Sequence, residues 1–274
     1  MDYKEHAFTF SCGTNRLLGI TTIPEQALDV GVLVIVGGPQ YRVGSHRQFT
    51  LLCRDLAKSG IPAMRFDYTG MGDSEGDLRN FEEVDKDIAA AVDAFLENCE
   101  NLNQVILWGL CDAATAAAFY ACKDPRISGL VLLNPWARTE AGEAKARMKH
   151  YYLSRIFDPA LWKKIFSGKF DFSGSAKDFL GSASSASGPV GSSALPERMR
   201  TSLEKFQGGI LFILSGNDLT AREFDDLAKS PDWRGLVAGT QRLDLAEADH
   251  TFSRREWRDR VSSRTIEWIL KEKS

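Results

Sequence analysis

Three short stretches carry residues whose types and spacing can do covalent chemistry. Gly109-Leu110-Cys111-Asp112-Ala113 places a thiol between small residues, G-x-C-x-A, directly after the apolar run Val105–Trp108 and before the alanine-rich stretch Ala113–Ala121. Strand, sharp turn and helix in that order hold a nucleophile at the apex of a strained turn. That turn tolerates only small residues two positions before and two after. A thiol there sits at a helix N-terminus, whose positive dipole end favours the thiolate. Ser215-Gly216-Asn217-Asp218 follows the run Ile210–Leu214, and Ala248-Asp249-His250-Thr251-Phe252 follows Gln241–Leu245. A histidine serves such a nucleophile when a carboxylate fixes its tautomer and stabilises the imidazolium. The expected catalytic set is therefore Cys111, Asp218 and His250. Each has an ordinary explanation alone: a buried cysteine, an Asn-Asp turn, a loop histidine. In this order, each after a strand, they read as one site. Asp249 ranks below Asp218 because neighbouring residues rarely reach each other's ring nitrogen productively.

The elements that must position these residues follow a rhythm. Val30–Val36 is an apolar, β-branched run ending in Gly37-Gly38-Pro39, which predicts a buried strand stopping at a turn. A helix bearing Phe49, Leu52 and Leu56 and ending near Gly60, a strand Pro62–Phe66, and a helix with Ile88, Val92, Phe95 and Leu96 at helical spacing come next. Further strands are expected at 105–108, 127–133, 209–214 and 241–245, and a last helix from about 255 to 271. Alternating strands and helices predict an α/β fold with a mostly parallel sheet and helices on both faces. The alternation breaks from 138 to 206, which reads as an inserted helical cap or lid, with core at 1–137 and 207–274. The Ser/Gly-rich run Ser182–Ser193 inside it has no core-forming pattern and is expected to be a mobile loop.

Composition narrows the function classes. The chain has 274 residues, 43% hydrophobic and 26% charged, with net charge −3. This balance provides no electrostatic footprint for nucleic acid. The basic run Arg254, Arg255, Arg258 and Arg260 is interleaved with Glu256 and Asp259, as on a solvated helix face. No apolar stretch approaches the roughly 18 residues of a membrane span, and the first ten residues lack the apolar centre of a secretory signal. Five scattered cysteines without CxxC spacing fit a reducing, cytoplasmic setting. No cluster has metal-ligand spacing and no G-x-G-x-x-G follows the first strand, so neither a metal nor another cofactor is expected.

On these motifs the chain resembles an α/β-hydrolase, whose triads run nucleophile, acid, histidine along the chain. The resemblance spans nearly the whole chain apart from the insertion. Asp67-Tyr68-Thr69-Gly70-Met71-Gly72-Asp73-Ser74 resembles the D-x-x-G-x-G-x-S loop of many such enzymes. Gly37–Arg42 occupies the place of the family's oxyanion loop, with Val36 where HGG-type motifs have histidine. More narrowly, GGPQYRVGSHRQF with GLCDAA resembles hydrolases associated with the exosortase A system, found in bacterial exopolysaccharide and protein-sorting gene clusters. The cysteine in place of serine resembles the Cys-Asp-His set of dienelactone hydrolases, a likeness of chemistry rather than of substrate.

The resemblance implies an oxyanion hole made of the Asp112 N–H and one N–H of the 37–40 loop. Pro39 has no N–H, which leaves Gly38 as first choice and Gln40 as second. Arg42, His46 and Arg47 are candidates to meet an anionic group on the substrate, or are simply part of a solvated loop. A thiolate favours activated acyl compounds such as thioesters, lactones or esters. The expectation is a hydrolase acting through a Cys111 thioester on a small-molecule, or lipid- or saccharide-linked, acyl substrate. An acyltransferase with the same triad stays open, as does a non-catalytic binding protein of the same fold. A haloalkane- or epoxide-type hydrolase needs an aspartate nucleophile, and Asp112 stands one residue off the apex. Nothing in the sequence bears on oligomeric state.

Overall fold

A computed structural model describes residues 2–38, 40–137 and 195–272. Residues 1–137 and 196–274 form one compact unit and 138–195 a second. The run Ser182–Ser193 and most of the expected cap lie outside the described residues.

The first unit is built on one eight-stranded sheet with strand order β1-β2-β4-β3-β5-β6-β7-β8. The strands are β1 (Tyr3–Cys12), β2 (Asn15–Pro24), β3 (Val30–Ile35), β4 (Ala63–Phe66), β5 (Gln104–Leu110), β6 (Ile127–Leu133), β7 (Gly209–Ser215) and β8 (Gln241–Leu245). From β4 to β8 every pairing is parallel; β1–β2 and β2–β4 are antiparallel. The described helices are α1 (Gln48–Lys58), α2 (Asp85–Glu97), α3 (Asp112–Ala121), α4 (Leu195–Lys205), α5 (Leu219–Ala228), α6 (Pro231–Ala238) and α7 (Arg255–Glu272). Among them none is long and apolar enough to cross a membrane.

Strand side chains alternate between faces. Val30, Val32 and Val34 share a buried cluster with Phe49, Leu52 and Leu56 of α1 and with Trp257, Val261 and Trp268 of α7. The intervening Gly31 faces the other way: a Cβ there would lie 2.8 Å from the ring of Phe95 on α2. Gly129 of β6 makes the same accommodation for Trp268, 2.8 Å from its would-be Cβ. The central strands are thus covered on both faces, which is why they read as continuous apolar runs.

Two features depart from the sequence reading. The amino-terminal hairpin β1–β2 extends the sheet antiparallel and was not expected. Helix α4, placed inside the insertion by its sequence, packs with the core instead. Met199 and Leu203 are buried, and the Arg198 guanidinium lies 4.7 Å from the Phe119 ring centre and pairs with Glu82. The second compact unit accordingly ends at 195 rather than 206.

Candidate active site

The carboxyl ends of β5, β7 and β8 bring the three expected residues together. Cys111 stands between β5 and α3 with φ 63° and ψ −123°, a conformation that costs a non-glycine residue of order 1–3 kcal/mol. Its surroundings enforce that turn. The Cys111 N–H donates to Leu133 O at 2.9 Å, and its carbonyl accepts from the N–H of Ala114 at 3.1 Å and of Trp136 at 3.2 Å. A Cβ on Gly109 would lie 2.6 Å from the Ala113 carbonyl oxygen, so the approach of α3 to β5 requires glycine there.

Asp218 is the residue just before α5, and its Oδ2 accepts from Ala221 N–H at 2.9 Å, an N-cap bond. The same carboxylate receives His250 Nδ1–H at 2.9 Å. Burial pushes the Asp218 carboxyl up, but the hydrogen bond and charge of His250 with the helix N–H groups outweigh it and hold the pKa below the usual range. His250 pairs with Asp218 on one side and has Cys111 as its neighbour on the other. These two contacts, in that order, overcome its burial and raise its pKa from 6.5 to about 10. With Nδ1 committed to Asp218, Nε2 is the nitrogen left to serve a nucleophile.

The acid and histidine loops are joined to each other. Gly216 N–H donates to Leu245 O at 2.9 Å and Asn217 N–H to Ala248 O at 3.0 Å. A Cβ on Gly216 would collide with the Ala246 carbonyl. Asn134, at the end of β6 with φ 42°, escaped the sequence reading. Fully buried, it receives Ser215 N–H on Oδ1 at 2.9 Å, and its amide donates to Ser215 Oγ at 2.9 Å and to the His250 carbonyl at 3.1 Å. The available signal was an Asn-Pro pair directly after a strand, a turn former able to adopt positive φ. Asp249 turns to Ser253, accepting its N–H at 2.9 Å and its hydroxyl, and takes no part in the Asp218–His250 pair.

The oxyanion loop is less simple than expected. Asp112 is the first residue of α3, so its N–H has no acceptor within the helix. Gly38 N–H, the first choice for the second donor, is already given to Asp112 Oδ2 at 2.9 Å. Gln40 is fixed by its side chain, whose Oε1 accepts Ser45 N–H at 3.2 Å. Arg42 is not a free anion receptor. It pairs with fully buried Asp67 and, at 2.7 Å, with Asp73, while its N–H donates to Asp67 Oδ1 at 2.6 Å. Its two terminal nitrogens thus hold the 67–74 loop against the 37–47 loop, while the buried Nε has no hydrogen-bond partner among the described residues. His46 and Arg47 are exposed and both adopt positive φ, 53° and 60°, at the turn into α1. Among the described residues no group of three or more His, Cys, Asp or Glu side chains could hold a metal ion.

The model of a family described as serine aminopeptidase, S33, matches residues 31–178, more than half of the chain. The match includes the Cys111 elbow and ends before Asp218 and His250. No curated protein matches the chain. Among solved structures, an esterase of Pyrococcus furiosus is 16% identical with TM-score 0.66, over 98% of this chain and 92% of that one. A dienelactone hydrolase of Anabaena variabilis is 16% identical with TM-score 0.64, over 99% of both chains. Est1E of Butyrivibrio proteoclasticus, solved with ferulic acid, is 14% identical with TM-score 0.65, over 97% of this chain and 99% of that one. At these identities the likeness is one of fold, the α/β-hydrolase fold.

Proposed function

Since the chain belongs to the serine aminopeptidase S33 family of α/β-hydrolases, we propose that it hydrolyses an acyl compound through a thioester on Cys111. The observation that carries this reading is the convergence of three loops, which sets His250 against Asp218 at 2.9 Å and beside Cys111 at a strained elbow. An imidazole so placed takes the thiol proton and holds it, leaving a thiolate beside an imidazolium. The thiolate sulfur forms a bond to the substrate carbonyl carbon, and the carbonyl π pair moves onto oxygen. When the tetrahedral intermediate collapses, the bond to the leaving group breaks and that group takes the proton from His250 Nε2. Water then attacks the thioester carbonyl carbon as His250 accepts its proton, and collapse of this second tetrahedral intermediate breaks the C–S bond, releasing the acid and restoring the Cys111 thiolate beside the His250 imidazolium.

The thiol sets the substrate class. It attacks and departs readily, which suits thioesters, lactones and activated esters, whereas an amide also demands protonation of a poor leaving group. The resemblance of GGPQYRVGSHRQF and GLCDAA to exosortase A-associated hydrolases supplies a context and no substrate, so small-molecule and lipid- or saccharide-linked acyl groups both belong in the panel. The test is mass spectrometry of the protein after brief exposure to p-nitrophenyl acetate, followed by turnover against a panel of thioesters, lactones and aryl esters. One acetyl group on the Cys111 peptide is expected, absent from Cys111→Ala, which should be inactive on every substrate. Undiminished turnover by Cys111→Ala would falsify the mechanism.

A further inference from the structure

The carboxylate of Asp112 stands next to the nucleophile, where a negative charge opposes both the thiolate and the oxyanion formed from the substrate. Its surroundings explain how it is tolerated. Oδ1 accepts Ala113 N–H at 3.0 Å within the first turn of α3, where the helix dipole favours an anion. Oδ2 reaches across to the loop after β3 and accepts Gly38 N–H at 2.9 Å. The contact is close-packed: a Cβ on Gly37 would collide with Asp112 Oδ1 and lie 2.9 Å from the Ala113 nitrogen. Both carboxylate oxygens are therefore used, and a positive-φ glycine, Gly38 at 58°, lets the peptide turn its N–H onto one of them. Pro39 has no N–H to offer, and residue 40 is held by its side-chain bond to Ser45 N–H.

Resting on the acyl-hydrolase reading above, we propose that Asp112 is a positioning residue whose carboxylate clasps the oxyanion loop, diverting the Gly38 N–H to itself and leaving the Gln40 N–H to complete the oxyanion hole with the Asp112 N–H. The clasp ties the elbow to the loop, so the two donors keep a fixed separation as the oxyanion forms.

Two reactions of the same thiol separate this role from a general structural one. Alkylation of Cys111 by iodoacetamide forms no oxyanion; acylation by p-nitrophenyl acetate does. Both rates can be read on the Cys111 peptide by mass spectrometry. In Asp112→Ala, acylation should fall about 10- to 100-fold, approaching the loss of an oxyanion donor, while alkylation stays within about threefold. Asp112→Asn keeps one oxygen for the Gly38 N–H but gives up the acceptor of the Ala113 N–H, and should recover most of the acylation lost in Asp112→Ala, to within about tenfold of the unaltered protein. Gln40→Pro, which deletes the assigned donor, should reproduce the Asp112→Ala pattern and keeps the test alive if Asp112→Ala does not fold. Faster acylation in Asp112→Ala would mean the carboxylate blocks the Gly38 N–H, and equal loss of both rates would mean it acts on Cys111 itself; either overturns the clasp. Unimpaired acylation in Gln40→Pro overturns the donor assignment. If the unaltered protein is alkylated but never acylated, the acyl-hydrolase reading fails and the clasp with it.

Discussion

On one side of Cys111 the Asp218 and His250 loops are joined mainly through the backbone: Gly216 N–H to Leu245 O, Asn217 N–H to Ala248 O, and the Asn134 amide to the His250 carbonyl. On the other side the loop from Gly37 to Arg47 is held by carboxylates, Asp67 on Arg42 and Asp112 on Gly38. Backbone bonds survive most substitutions because every residue supplies the same groups. Carboxylate clamps depend on single side chains and carry charge into a site that handles charge. On the proposed reading, the Asp218–His250 side owes its shape to backbone bonds and one buried amide, Asn134, whereas the 37–47 side can be loosened by changing carboxylates that touch no substrate.

The largest effect that probes this contrast is chemical. Asp218→Asn keeps the N-cap acceptor for Ala221 N–H and the backbone stitching, so the fold should persist. It removes the charge that stabilises the His250 imidazolium, and the rate should fall by roughly 10⁴-fold, as in other triads. Asp249→Asn, whose carboxylate serves Ser253, should leave the rate within about threefold. Steady-state kinetics of the two variants side by side decides the matter. A collapse in Asp249→Asn with a near-normal Asp218→Asn would reverse the acid assignment and break the comparison at its firmer side.

The next effect is on stability, and it belongs to the oxyanion side. Asp67 is fully buried and holds Arg42 through both backbone and side chain, with Asp73 N–H as a third donor at 3.1 Å. Without Asp67 the Arg42 guanidinium keeps only the exposed Asp73, and the Arg42 and Asp73 N–H groups lose their acceptor, at a cost of about 1–3 kcal/mol. Asp67→Ala should therefore lower the urea midpoint sharply at unchanged m-value. Asn134→Ala, on the stitched side, should cost less because the neighbouring backbone bonds remain. The reverse ranking would show that one buried amide does more for this edge than the charge clamps do.

Much of this site was visible in the chain itself, for physical reasons that differ by region. The central strands are buried on both faces, so they appear as unbroken apolar runs, and the elbow is encoded locally by Gly109, Cys111 and Ala113. Asp218 and His250 were findable because each falls just past such a run. The hairpin β1–β2 was not, since its exposed residues Lys4, Glu5 and His6 mask the alternation carried by Phe8 and Phe10. Helices α5 and α6 are short, with only a few buried residues each, and leave little pattern. Arg42 reads from sequence as an available cation, because only the fold brings Asp67, 25 positions away, to meet it. The Gly38–Asp112 bond spans 74 positions and is equally invisible until the sheet closes that distance.

The smallest effect concerns proton linkage on the acid–base side. His250 is held near pKa 10 in the folded chain, above its ordinary 6.5, by Asp218 first and Cys111 second. A group whose folded pKa is raised binds its proton more tightly when folded. Its contribution to stability is fully present below about pH 6.5 and is lost as pH climbs toward 10. The imidazole is about a third exposed, so solvent screening trims the effect, and only the slope is informative. Urea midpoints between pH 6 and 10 should fall more steeply in the unaltered protein than in His250→Ala, which lacks the titrating group. Asp218→Asn should flatten that excess slope more than Cys111→Ser, because the carboxylate is the larger cause of the shift. If Cys111→Ser flattens it more, the imidazolium is held chiefly by the thiol. The nucleophile and base would then form the dominant ion pair, with Asp218 serving mainly to orient the ring.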